Sequence, residues 1–215
     1  MQSDDLPASD AAHVAAGAPA APRKRPPPGE RRLQIMQALA QMLEQPGGER
    51  VTTAALAARL QVSEAALYRH FASKAQMFEG LIDFIESSVF GFVNQINERE
   101  PAGRVRAARI VAMVLQFGER NPGMARVMVG DALVYEHERL QQRMNQWFDK
   151  LEAALRQCLR EDAAADGGTL TPDADAQVAA AVLTAFVAGR LQRFVRSGFR
   201  RAPSDQLEAC LARML

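Results

Sequence analysis

The chain has 215 residues, of which 48% are hydrophobic and 24% charged, an ordinary composition for a globular protein. A chain of this length buries roughly 70% of its unfolded surface and needs no disulfide or metal to fold. Its only two cysteines, Cys158 and Cys210, are too far apart for a zinc finger or a CxxC redox centre. The net charge of +1 conceals a polarity, because residues 1–22 sum to −3, residues 23–74 to +5 and residues 75–215 to −1. A basic module beside a near-neutral body points to a polyanion partner at one end.

Residues 1–29 are rich in Ala and Pro, include Pro26-Pro27-Pro28, and lack apolar periodicity. Such a tail cannot offset its ordering entropy by burial and is expected to be disordered. Its Arg23-Lys24-Arg25 cluster suits either a phosphate backbone or a solubilising flank. From Glu30 the pattern is helical throughout, which predicts an all-α fold with a first module over 30–75 and a helical body over 76–215. Met36, Leu39, Ala40 and Leu43 recur at i, i+3, i+4, i+7 on the first helix, and Pro46-Gly47-Gly48 ends it. Thr52 and Thr53 can cap a second helix holding Leu56, Ala57 and Leu60, and Ser63 can cap a third over 64–71. Ser73 caps a fourth, with a stripe of Phe78, Leu81, Ile82, Ile85, Val89, Phe92, Val93 and Ile96. A fifth helix follows Pro101 and stops at Asn121-Pro122-Gly123. A sixth is expected over 124–133. Leu140, Met144, Trp147, Leu151, Leu155, Cys158 and Leu159 line one side of a seventh over about 136–161. Residues 162–171 read as a polar loop, 173–197 as an Ala-rich helix, and a short helix follows Pro203. No apolar run reaches the ~20 residues of a membrane span, and no apolar segment follows a basic start as in a secretion signal. A reducing cytoplasm is the expected compartment.

Residues 52–71 read as a helix-turn-helix. Ala57 is small where two helices cross, Val62 plugs the corner, and Leu56, Leu60 and Leu67 fill the core with the first helix. The second helix of such a motif lies in the major groove of DNA. The turn position usually held by glycine is Gln61, which in a left-handed conformation costs about 1–2 kcal/mol.

The ending Leu67-Tyr68-Arg69-His70-Phe71, followed by Lys74 and Phe78, resembles the TetR family of bacterial transcriptional regulators over about residues 31–80. By that resemblance Tyr68, His70 and Lys74 contact phosphates, with Thr52 or Thr53. Hydroxyls and helix N-terminal amides are suitable donors to phosphate, and such contacts set register without reading sequence. Ser63, Glu64, Ala65, Ala66 and Arg69 are the candidates near bases. An alanine permits close approach and can touch a thymine methyl, and Arg69 could read guanine or bind phosphate. Glu64 could accept from cytosine or simply favour the helix dipole. The two long final helices, with Ala179, Ala180, Ala181, Ala185, Ala188 and Gly189 on the second, resemble the pair that makes such regulators homodimers. A twofold dimer implies a palindromic site with half-sites about 34–36 Å apart.

The likeness continues through Phe84-Ile85-Glu86, Phe117 to Gly123 and Arg193 to Ser197. These stretches resemble the nucleoid occlusion branch of the family, whose DNA-bound members antagonise the division GTPase FtsZ. That resemblance implies a partner face at the end of the fourth helix, the fifth helix and the turn at Arg120 and Asn121. Arg120 suits the acidic tail of a partner, or equally its own helix dipole. The alternative is a ligand-responsive repressor in which Met113, Phe117, Met128, Trp147 and Phe186 line a pocket. Such residues also make ordinary core. No GxSxG, HExxH or GxxxxGK[ST] motif is present, and His13, His70 and His137 build no evident metal site. Neither an enzyme nor a cofactor is expected.

Overall fold

The computed structural model describes residues 29–45, 50–166 and 172–215. The Ala/Pro tail with its basic cluster and the break at Pro46-Gly47-Gly48 lie outside the described residues.

Local capping chemistry sets the early helix starts. Thr52, Ser63 and Ser73 are all extended, and their hydroxyls accept from the amides of Ala55, Ala66 and Gln76 at 3.1, 3.3 and 3.2 Å. The resulting order is α1 (Glu30–Leu43), α2 (Thr53–Arg59), α3 (Glu64–Tyr68), α4 (Lys74–Arg99), α5 (Gly103–Arg120), α6 (Pro122–Met128), a 3₁₀ turn (Asp131–Leu133), α7 (Glu138–Asp166), α8 (Pro172–Arg196) and α9 (Leu207–Met214). No strand occurs among the described residues, and the fold is all-α.

Four expectations need correction. The third helix stops at Tyr68 rather than Phe71, because the chain must turn to bury Phe71 before Ser73 re-opens it as a cap. The expected helix over 124–133 breaks after Met128, where Gly130 takes φ 78° and lets a separate 3₁₀ turn form. The seventh helix runs on to Asp166 through Ala163-Ala164-Ala165, the residue type of highest helix propensity. Phe92 is 46% exposed, on the flank of the α4 stripe rather than within it.

The body is organised around α7 and α8, which pack along each other and onto α5. All seven residues of the expected α7 stripe are buried. Trp147 is fully enclosed and meets Phe90 and Phe148 edge-on at 6.0 and 5.0 Å between ring centres. Such ring pairs add about 0.5–1.5 kcal/mol beyond the area they bury. Cys158 and Cys210 are free thiols.

α8 is apolar on two sides. Ala176, Ala180, Leu183, Val187 and Leu191 face the core, while Val178, Ala181, Val182, Ala185 and Gly189 are exposed at helical spacing. A side chain built on Gly189 would meet nothing. This double face explains why the most apolar 18-residue stretch of Asp173–Arg196 reaches a mean hydropathy of 1.4, enough by length and composition alone to cross a membrane.

The helix-turn-helix is locked to the body by α6. A Cβ on Gly123 would come within 2.1 Å of the Ala40 carbonyl oxygen, so only glycine lets α6 approach the α1 backbone. Arg126, buried in the same seam, donates to the Leu43 carbonyl at 3.2 Å and pairs with Asp131 at 2.6 Å. A buried guanidinium is tolerated because it is both paired and hydrogen-bonded.

α4 and α7 are tied on the surface by Glu86, which pairs with Lys150 and, at 3.5 Å, with Arg143, itself paired with Asp83. The hydrogen bond from Lys150, helped by the charge of Arg143, holds the Glu86 carboxyl below its ordinary value, against the opposing effect of burial. A lowered carboxylate contributes stability above its unfolded pKa, and that contribution is lost as pH falls through the folded value. Glu86→Gln is therefore expected to lower stability at pH 7 by about 0.5–1 kcal/mol. Urea denaturation should show the deficit shrinking as the pH falls below the ordinary glutamate range.

Candidate nucleic-acid interface

The helix-turn-helix core is closed by Leu56, Ala57, Leu67 and Phe71, each at most 4% exposed, against Ile35, Leu39 and Leu43 of α1. The corner between α2 and α3 is a left-handed helix ending. The Gln61 amide donates to the Ala58 carbonyl and the Val62 amide to the Ala57 carbonyl, both at 3.0 Å. Gln61 has φ 55°, so the residue that replaces the usual glycine does sit in the strained region. Val62 is half-buried against the core. Arg32 of α1 clasps the far end of the motif, donating to the His70 carbonyl while its guanidinium lies 4.1 Å from the centre of the Phe71 ring.

This frame leaves the sequence candidates distributed as follows. Thr52, Ser63, Glu64, Ala65, Tyr68 and Arg69 are exposed, whereas Thr53, Ala66, His70 and Lys74 are half-buried. Thr52 and Ser63 spend their hydroxyl lone pairs as caps but keep their O–H donors. The Thr53 hydroxyl instead donates to the Glu64 carboxylate at 2.6 Å, which ties α2 to α3. That bond gives Glu64 a structural role that neither of its two sequence readings included. Tyr68 is 45% exposed, which leaves its hydroxyl accessible to a partner.

Lys74 is placed differently from a free phosphate contact. Its ammonium pairs with Glu136, whose carboxylate also receives Arg50 at 3.4 Å, while Arg50 donates to the Tyr135 carbonyl at 3.1 Å. The Glu136 side chain is only 7% exposed. The loop before α7 thus reaches across to the basic module, and Val134 and Tyr135 beside Glu136 stand 62% and 76% exposed. Neither Glu136 nor Arg32 carried a local sequence signal, since their partners are 62 and 38 residues away.

At the partner face, Arg120 ends α5 in an exposed position with no hydrogen bond or ion pair among the described residues. Asn121 is half-buried, and its amide nitrogen donates to the Phe117 carbonyl at 2.8 Å, a helix-capping role. Of the residues proposed for an inducer pocket, Met128 and Trp147 are 1% exposed, and Met113, Phe117 and Phe186 pack against the core. They line neither of the two cavities described, which open at Arg190–Asp205 and at Arg50–Glu136.

The strain at Gln61 has a measurable consequence. Gln61→Gly relieves about 1–2 kcal/mol of left-handed backbone cost and loses part of it to the freer unfolded chain. A net gain of about 0.5–1 kcal/mol in urea denaturation is expected, with affinity for duplex DNA unchanged.

Comparison with known proteins fits this geometry. Residues 35–81 match the bacterial regulatory proteins of the tetR family, and residues 102–214 match the SlmA-like group of tetracyclin repressor-like C-terminal domains. A nucleoid occlusion factor SlmA from Cronobacter sakazakii is 51% identical over 183 residues, covering 83% of this chain and 90% of that protein. One from Alteromonas mediterranea is 48% identical over 176 residues, covering 82% and 89%. Among solved structures, a TetR-like regulator from Rhodococcus superposes with a TM-score of 0.68 at 18% identity, over 88% of this chain and 97% of that one. FadR from Bacillus subtilis, in complex with stearoyl-CoA, gives 0.66 at 15% over 85% and 96%; these two likenesses concern the fold. The match of family models to both halves, with about half identity over more than four fifths of the chain, means that the chain belongs to the nucleoid occlusion factor SlmA family of TetR-type regulators.

Proposed function

We propose that this protein is a DNA-dependent nucleoid occlusion factor. Bound as a homodimer to palindromic chromosomal sites, it antagonises FtsZ polymerisation and so blocks septum formation over the nucleoid. The observation that carries this reading is the identity of 48–51% across 82–83% of the chain, helical body included. The buried state of Met128 and Trp147 adds support, since it leaves them as core rather than pocket wall.

In this reading Tyr68, His70, Lys74 and Thr52 hold the backbone of the duplex, while Ser63, Ala65, Ala66 and Arg69 lie toward the bases. Thr53 and Glu64 brace the two helices against each other. For Lys74 to take a phosphate it exchanges Glu136 for DNA, so DNA binding loosens the loop that carries Tyr135. The exposed stripe Val178, Ala181, Val182, Ala185 and Gly189 supports α8 as the dimer seam, because small side chains allow close helix approach. Arg120, unpaired at the end of α5, is the residue of the partner face left free to meet an acidic segment, with Asn121 setting the turn. Exposed Phe84 and Phe92 on α4 extend that face with apolar area.

Two measurements test the reading. FtsZ is sedimented under GTP with the protein present, with and without a short palindromic duplex that it binds tightly. Loss of polymer only with the duplex is expected, and untouched polymer under every condition would make the protein an ordinary repressor. Lys74→Ala should weaken binding to all duplexes about equally and reduce the salt slope by about one ion. A loss confined to the cognate site would remove Lys74 from the phosphate contacts.

A further inference from the structure

A cavity of about 590 Å³ opens where the end of α8 meets the loop before α9. Four arginines line it, Arg190, Arg193, Arg200 and Arg201, together with Ser204 and Asp205. Several arginines elsewhere are matched to carboxylates, among them Arg104, Arg109, Arg126, Arg139 and Arg143, while others such as Arg120 are not. Among the described residues none of the four cavity arginines is so matched.

Two of the four are held in place by neutral groups. Arg190 stacks over the Phe186 ring at 5.1 Å and donates to the Asp205 carbonyl, yet its Nε is buried without a partner. The Arg200 Nε donates to the Ser197 carbonyl at 2.9 Å. Arg193 and Arg201 are exposed, and their guanidinium groups make no bond among the described residues. The Ser204 hydroxyl donates to Glu119 at 2.5 Å, which sets one carboxylate behind the lining itself. The Asp205 carboxylate is the lining's one negative group, so the cavity sums to +3. The C-terminal dipole of α8 offsets only about half a charge of this.

We propose that this cavity is an anion site for a polyphosphate group, carried by a small nucleotide or as inorganic polyphosphate. A single phosphate group brings about −1.5 to −2 at neutral pH, so two or three linked phosphates match the lining where one carboxylate does not. Guanidinium forks bind phosphate oxygens two at a time, and the volume lies within the ordinary range for a small-molecule site. A duplex is a convex rod and fits a concavity of this kind less well than a short chain of linked phosphates does.

The test is calorimetric titration of the full chain, at about physiological salt and without divalent metal, using sodium triphosphate and, separately, ATP. Saturable binding of one ligand per chain is expected, weakened at least about tenfold in Arg193→Gln/Arg201→Gln and unchanged in Arg109→Gln. Tighter binding of ATP than of triphosphate assigns the site to a nucleotide, and equal binding assigns it to polyphosphate itself. Arg201→Gln alone serves if the double variant does not fold, since its exposed side chain bonds to nothing. Unsaturable heats, or equal affinity in the variants, overturn the proposal. So does loss of duplex affinity in the variants without any triphosphate binding, which would give these arginines to DNA.

Discussion

Everything that the helix-turn-helix can do depends on the seam between α1 and α6. Gly123 lets two helix backbones meet closely enough that any side chain would collide with the Ala40 carbonyl. Arg126 then fills the same seam from the body side, bonded to the Leu43 carbonyl and to Asp131. A contact made of backbone and a paired buried charge has one good geometry, unlike a sliding apolar surface. It therefore fixes the angle at which α3 leaves the body. In a twofold assembly that angle sets the separation of two recognition helices, and hence the spacing of half-sites.

The second connection between the two parts is electrostatic. Lys74 opens α4, which begins in the basic module and runs along the body, and Glu136 reaches back to it from the loop before α7. α4 is thus both the last helix of the DNA-facing module and the first of the body. The basic charge that the sequence concentrates in residues 23–74 is partly neutralised by an acid from beyond it. The module is not an independent ball on a tether.

Helix starts were legible in the sequence because capping is local chemistry. Thr52, Ser63 and Ser73 needed no knowledge of the rest of the chain. The strained corner was legible for the same reason, since Gln61 occupies a place where the turn itself demands a positive φ. Helix ends were less so. The polar look of residues 162–171 hid an alanine run that prolongs α7, and Gly130 divided a segment that apolar content joined. Phe92 shows the limit of periodicity, which tells which residues share a face but not what lies opposite that face. Thr53–Glu64, Arg32–His70 and Lys74–Glu136 were invisible, as each pair is made by folding rather than by spacing. The candidate interface was therefore readable as a set of positions and unreadable as a network.

The two-sided character of α8 has a consequence for how this protein holds together. A protomer alone keeps Val178 and Val182 in water, at 65% and 49% exposure, alongside a strip of alanines. Each apolar side chain buried against a second chain is worth about 1.5–3 kcal/mol at most, on a fold whose total stability is about 5–15 kcal/mol. If, as proposed, two protomers meet at this seam, association contributes a real fraction of what keeps the body folded, and by mass action that fraction rises with protomer concentration. Copy number would then become part of the folding equilibrium, a sparse chain being a less stable chain as well as a weaker binder of twofold sites.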